Sequence, residues 1–85
     1  MANRSKMIAP VYTIKQVRDD IKGMIDRKVR VVNNLSRKQK PVEGIVVAAY
    51  ENIFAVQTDE YGFRSKKTFP YSEVITNTIS VDLID

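Results

Sequence analysis

The 85-residue chain contains no cysteine and no histidine. The first absence excludes disulfide scaffolds, zinc fingers, iron–sulfur clusters and thiol nucleophiles. The second removes the commonest general base, the commonest zinc ligand and the usual neutral-pH switch. Only three glycines are present. They form no Gly-rich phosphate loop, and neither a G-x-S-x-G motif nor EF-hand spacing occurs. The carboxylates Asp19-Asp20, Asp26 and Asp59-Glu60 make no acid–base pair, because adjacent helix acids point to different sides and turn acids are expected without function. An enzyme is therefore not expected, and no cofactor or metal is implied. Long apolar runs are missing as well. The longest, Ile45 to Tyr50, has only strand length, far short of the roughly 18 residues of a membrane span. The first ten residues carry Arg4 and Lys6 but no apolar segment of the secretory kind, so a cytoplasmic location is expected.

What is present describes a small folded protein. Hydrophobic residues make up 44% and charged residues 28%, which is ordinary for a globular domain and too apolar for a disordered one. Ordering a chain of this size costs on the order of 100 kcal/mol in conformational entropy. Nearly every large apolar side chain is then needed in the core, which leaves few for a deep ligand pocket.

Residues 1–11 lack periodicity and read as a flexible arm, with a single domain over 12–85. From Tyr12 to Lys22 the spacing of Ile14, Val17 and Ile21, continued by Met24 and Ile25, predicts a helix with one apolar stripe. Thr13 and Gln16 form a capping-box pattern, and Gly23 is a candidate C-terminal cap. Strands are predicted at Lys28–Val32, Val42–Tyr50, Ile53–Thr58, Phe63–Phe69 and Thr78–Leu83. Gly44 lies inside the second strand, where glycine is tolerated if the strand bends sharply. Turns are expected at Glu51-Asn52 and at Asp59–Gly62, where Gly62 supplies positive φ. Pro70–Ile75 reads as one helical turn that Ser72 would cap. Phe54, Phe63 and Phe69 are expected in the core, and Ile79, Val81 and Leu83 are expected to face inward. Short strands in so small a domain commonly close on themselves to remove exposed edges. The expected fold is therefore mainly β: an N-terminal helix followed by a five-stranded SH3-type or Sm-like small barrel, with an OB-type barrel as the alternative.

Charge is segregated along the chain. Residues 1–40 hold 11 Lys+Arg and 3 Asp+Glu, whereas residues 41–85 hold 3 and 7. The density peaks at Arg27, Lys28, Arg30, Arg37, Lys38 and Lys40, with no acid among them, and a second cluster is Arg64, Lys66 and Lys67. These nine residues are the candidate binding surface. A basic loop on a barrel suits phosphate, since each neutralised phosphate releases a counterion. It equally suits an acidic protein face, or plain solvation. The aromatic residues Tyr50, Phe54, Tyr61, Phe63, Phe69 and Tyr71 lie mainly away from the basic positions; of these, Tyr50 and Tyr61 flank turns.

The whole pattern resembles one family. Its carriers are the capped helix with Ile14, Val17 and Ile21, the strand Lys28-Val29-Arg30-Val31, and Glu43-Gly44-Ile45. They continue with Ala49-Tyr50, Ile53-Phe54-Ala55-Val56-Gln57, Phe63 and the run Phe69-x-Tyr71-Ser72-x-Val74-Ile75-Thr76. This is similar to the Veg proteins, small abundant proteins of low-GC Gram-positive bacteria. Where that family has a Gly pair followed by Arg-Arg-Lys, this chain reads Asn33-Asn34-Leu35-Ser36-Arg37-Lys38-Gln39-Lys40, basic but without the glycines. The resemblance implies a role in gene regulation and biofilm formation, through antagonism of a DNA-binding repressor and without catalytic residues. The expected partner is thus a transcriptional regulator, with direct low-specificity DNA or RNA binding as the alternative. A monomer or small homodimer is expected rather than a ring, because the basic half would face like charge in a tight ring.

Overall fold

Thr13 opens the first helix as its sequence context predicts. Its hydroxyl accepts from the Gln16 backbone N–H at 3.2 Å, and the Gln16 side-chain oxygen accepts from the Thr13 N–H at 2.8 Å. This reciprocal box satisfies two of the donors that a helix start leaves orphaned. The computed structural model describes residues 13–36, 38–60 and 62–84, so the expected arm over 1–11 lies outside the described residues. Helix α1 (Ile14–Lys22) buries Val17 and Ile21, while Ile14 stays at the rim. Gly23 ends the helix with a right-handed φ of −69°, a conformation open to any residue. Positive φ falls instead on Asp26, Gly62 and Asn77.

Five strands follow: β1 (Lys28–Asn33), β2 (Val42–Ala49), β3 (Ile53–Glu60), β4 (Phe63–Pro70) and β5 (Ile79–Leu83), with helix α2 (Tyr71–Ile75) between the last two. They form one antiparallel sheet in the order β4-β3-β2-β1-β5. The architecture is mainly β, as expected, but the sheet is open where a closed barrel was expected. β4 and β5 are its two ends and do not pair with one another among the described residues. The cause lies in β4. Its first six residues are exposed, and only Phe69 and Pro70 are half-buried. A run reading Arg64-Ser65-Lys66-Lys67-Thr68 has no apolar face that would draw the edge inward.

The sheet nevertheless curves around its core, and Gly44 marks a close approach of β2 to β3. Gly44 faces Val29 across the β1–β2 ladder, on the buried side. A Cβ there would overlap the Gln57 carbonyl oxygen and come within 2.9 Å of Val56 Cγ1. The β2 backbone thus lies directly against β3, which only glycine permits. Just beyond, the β2–β3 register shifts between Val46 and Ala48, a bulge that adds further twist. After the bend Val46 bonds to the segment before β1: its N–H donates to the Arg27 carbonyl at 3.1 Å, and its carbonyl accepts from Asp26 at 2.8 Å.

The concave face holds the core: Val17, Ile21, Val29, Val31, Val46, Phe54, Val56, Tyr71 and Ile79. Phe54 stacks on Tyr71 at 5.8 Å between centroids and tilts against Phe69 at 5.5 Å. Tyr71 also ties α2 to the β2–β3 turn. Its hydroxyl donates to the Tyr50 carbonyl at 2.7 Å, and its N–H donates to the Asn52 carbonyl at 3.1 Å. From the other side Arg18 Nη1 donates to the Glu51 carbonyl at 3.0 Å. Burial pushes the Tyr71 phenol above its ordinary value, and the Arg18 guanidinium pulls the opposite way.

Three local expectations are corrected. Phe63 is 75% exposed, because it sits at the start of β4, beyond the reach of the core. Ser72 does not cap α2; no side chain does, and Pro70 occupies the cap position in an extended conformation. Leu83 is exposed, since β5 runs past the core after Ile79.

Gly44→Ala is expected to cost about 2–3 kcal/mol, because neither the Gln57 backbone nor its packed neighbours can yield freely. In thermal denaturation that is a fall of about 10 °C or more, and a shift below about 2 °C would show that β2 is free to move. Tyr71 supplies a pH dependence. Its raised folded value means the folded state holds the phenolic proton more tightly than the unfolded chain, whose phenol titrates near about 10. The stability so contributed is present below about pH 10 and is lost as pH rises further. Denaturant titrations should show an alkaline decline that Tyr71→Phe reduces, while that variant loses about 1 kcal/mol at neutral pH with its hydrogen bond.

Candidate functional site

The nine basic candidates lie just before β1, on β1, on the loop after it and on β4, and on the strands the pleat decides which of them share a face. Lys28 and Arg30 are two apart on β1 and share its exposed face. Arg30 Nε donates to Glu43 Oε2 at 2.9 Å, and Asp82 is its register partner on β5. Arg30 therefore belongs to a mixed-charge row rather than to a basic patch. Arg27 lies exposed just before β1, with its carbonyl held by Val46.

The loop after β1 carries Lys38 and Lys40, both exposed; Arg37 lies outside the described residues. Asparagines organise this loop. Asn33 Nδ2 donates to Gln39 Oε1 at 2.8 Å, and Asn33 Oδ1 accepts from the Leu35 N–H at 2.8 Å. Asn34 Nδ2 donates to the Asn77 carbonyl and to Ser80 Oγ, each at 2.8 Å. Asn33 thus braces the loop internally, and Asn34 ties it to the segment that leads into β5.

On β4 the second cluster is split. Arg64 and Lys66 face the same side as their register partners Asp59 and Gln57. Lys67 faces the other side, opposite Val56. The bend at Gly44 then brings parts of both clusters together. One groove of about 980 Å³ is lined by Lys28, Lys40 and Lys67, with Val42, Ile45 and Phe69 among its apolar walls. Glu43 and Asp59 also border it. One lysine from β1, one from the loop and one from β4 line it, while Arg27, Arg30, Lys38, Arg64 and Lys66 do not. The Asn33–Gln39 and Asn34 contacts were missed by sequence reasoning. An Asn pair at a strand end was the available signal.

Among the described residues, no three His, Cys, Asp or Glu side chains gather as a metal site. No helix among them is long and apolar enough to cross a membrane.

The family described as Biofilm formation stimulator VEG matches residues 12–82. The chain belongs to the Veg family. A search of curated proteins gives no significant match. The Veg match includes both helices and four of the five strands entire, with β5 as far as Asp82. All nine basic candidates fall inside it, and so does Gly44. The family description gives stimulation of biofilm formation as its role, which suggests a regulatory role for this chain.

The Arg30–Glu43 pair is exposed on both partners. Arg30→Ala should therefore cost no more than about 0.5 kcal/mol in chemical denaturation. A loss above about 1.5 kcal/mol would place Arg30 in a structural role that its exposure does not indicate.

Proposed function

We propose that this Veg protein is a non-enzymatic regulator of gene expression and biofilm formation that acts by docking on a protein partner, a transcriptional regulator. The observation that carries this reading is the groove where Lys28, Lys40 and Lys67 converge over Val42, Ile45 and Phe69. Three lysines against two acids, Glu43 and Asp59, give the rim a small basic excess over an apolar floor, which suits a polypeptide that offers carboxylates to the lysines and side chains to the floor. Charge complementarity of this kind sets encounter rate and partner choice. A chain without His or Cys lacks the usual catalytic nucleophile–base pairs, which supports binding over catalysis. The order β4-β3-β2-β1-β5, with a short helix before β5, supports reading the sheet as an opened relative of an SH3-type barrel. A cytoplasmic protein, monomeric or a small homodimer, fits this role.

Direct DNA or RNA binding is the second reading, favoured by the exposed Lys38 and Lys40 on the loop. It is weakened by the exposed sheet face, where Arg30 pairs with Glu43 and Arg64 lies opposite Asp59. A phosphate backbone meets alternating sign there rather than a basic stripe.

The discriminating experiment is capture of partners from native lysate by the wild-type chain and by Lys40→Glu/Lys67→Glu. Both lysines are exposed, so the double variant should keep its melting temperature within about 2 °C. The wild type should retain a transcriptional regulator and the variant should lose it. Recovery of nucleic acid instead, with gel shifts that weaken steeply between two salt concentrations, would overturn the protein-docking reading.

A further inference from the structure

We propose that the outer edge of β4 is a strand-addition site for an extended, acidic segment of the protein partner. The proposal rests on the reading that the basic groove docks an acidic protein, and it specifies how.

β4 pairs with β3 through eight register positions, from Ile53↔Pro70 to Glu60↔Phe63. On its other side it is the end of the sheet. Alternate residues of such an edge direct their N–H and C=O groups away from the sheet, a ready template for another strand. Residues Phe63–Thr68 are exposed, so neither helix covers this edge. Proline, which lacks the donor, stands only at the last position, Pro70.

The side chains select the occupant. Phe63–Pro70 contains Arg64, Lys66 and Lys67 and no acid. Lysine on an edge is a usual device against self-pairing, because like charges set opposite one another repel. A second copy of β4 is disfavoured on that ground. A strand bearing carboxylates is favoured on the same ground, since it can place them opposite Arg64 and Lys66. The other face of the added strand would meet Lys67 and Phe69, which already line the groove with Lys28 and Lys40. Main-chain bonds would then supply affinity and the basic side chains the choice of sequence, as in other strand-addition complexes. The opposite edge, β5 (Ile79–Leu83), is shorter and has Asp82 as its one charged residue, so it offers an acidic strand nothing comparable.

The test uses the full chain and a fluorescent ten-residue peptide of alternating Glu and Val. Two further versions carry N-methyl groups on alternate backbone nitrogens, one in each register. Binding should weaken with salt, and the amides of Arg64–Thr68 should shift in nuclear magnetic resonance spectra. One N-methylated register should bind about tenfold or more weakly, since its donors to β4 are gone, and the other should bind unchanged. Lys66→Glu/Lys67→Glu should also lose about tenfold in affinity with its fold intact by the same spectra. Binding that ignores N-methylation in both registers and shifts no β4 amide would overturn strand addition while leaving acidic docking in place. No binding of any peptide would overturn both. Self-association that protects the β4 amides, or β4 shifts produced by duplex DNA and not by peptide, would overturn the proposal in favour of a second copy or of nucleic acid.

Discussion

The close approach of β2 to β3 at Gly44 is the constraint from which the rest of the molecule follows. A flat sheet of five short strands would leave one face wet and unable to cover an apolar core from so short a chain. Folding β2 over β3 wraps Val29 and Val31 around Val46, Phe54 and Val56, and makes a concave face deep enough for α1 and Tyr71. The same bend carries β1 and its following loop toward β3 and β4, and this is why lysines distant in sequence line one groove. Core and groove are two faces of a single backbone decision.

Polar contacts between segments distant in sequence hold that bend in place. Tyr71 fills the end of the core with its ring and fastens the Tyr50–Asn52 turn with its hydroxyl and its N–H, while Arg18 of α1 fastens Glu51. Asn34 links the basic loop to Asn77 and Ser80 at the start of β5. These are polar contacts made at the rim of an apolar core, where each bond adds about 1 kcal/mol and, more importantly, fixes geometry. Before Phe69, β4 is held by its ladder to β3 and by the Thr58 hydroxyl, which donates to the Ser65 carbonyl at 3.3 Å. Its first six residues are exposed, and among the described residues its one strand partner is β3.

Much of this was legible in the sequence because it is local. The capping box at Thr13 and Gln16, the alternation of Val29 and Val31, the turn at Gly62 and the demand for a bend at Gly44 all depend on residues within a few positions of one another. The strand count followed from the same signals. Closure of a barrel is not legible locally, because it depends on the whole of β4, whose alternation looks like that of a core strand until the polarity of Ser65 and Lys67 on its inner face is weighed. The same alternation points Phe63 toward the core, although it lies where the strand has left the core. In the candidate site, the basic residues could be named from sequence, but their grouping could not. Which lysines meet is set by the pleat, which separates Lys66 from Lys67, and by a bend whose direction no local pattern records. The Asn pair at the strand end signals local turn contacts such as those of Asn33, whereas the Asn34 contacts reach across 43 and 46 positions, which no local pattern records.

The most direct measurement is the nuclear Overhauser contact between the Gly44 α-protons and the Val56 γ-methyl groups in the isotopically labelled chain in solution. A bent sheet predicts strong cross-peaks, because the space a Cβ would fill at Gly44 lies 2.9 Å from Val56 Cγ1. Their absence, with the Gly44 α-protons seeing only Val29 across the β1–β2 ladder, would contradict the bend and with it the groove.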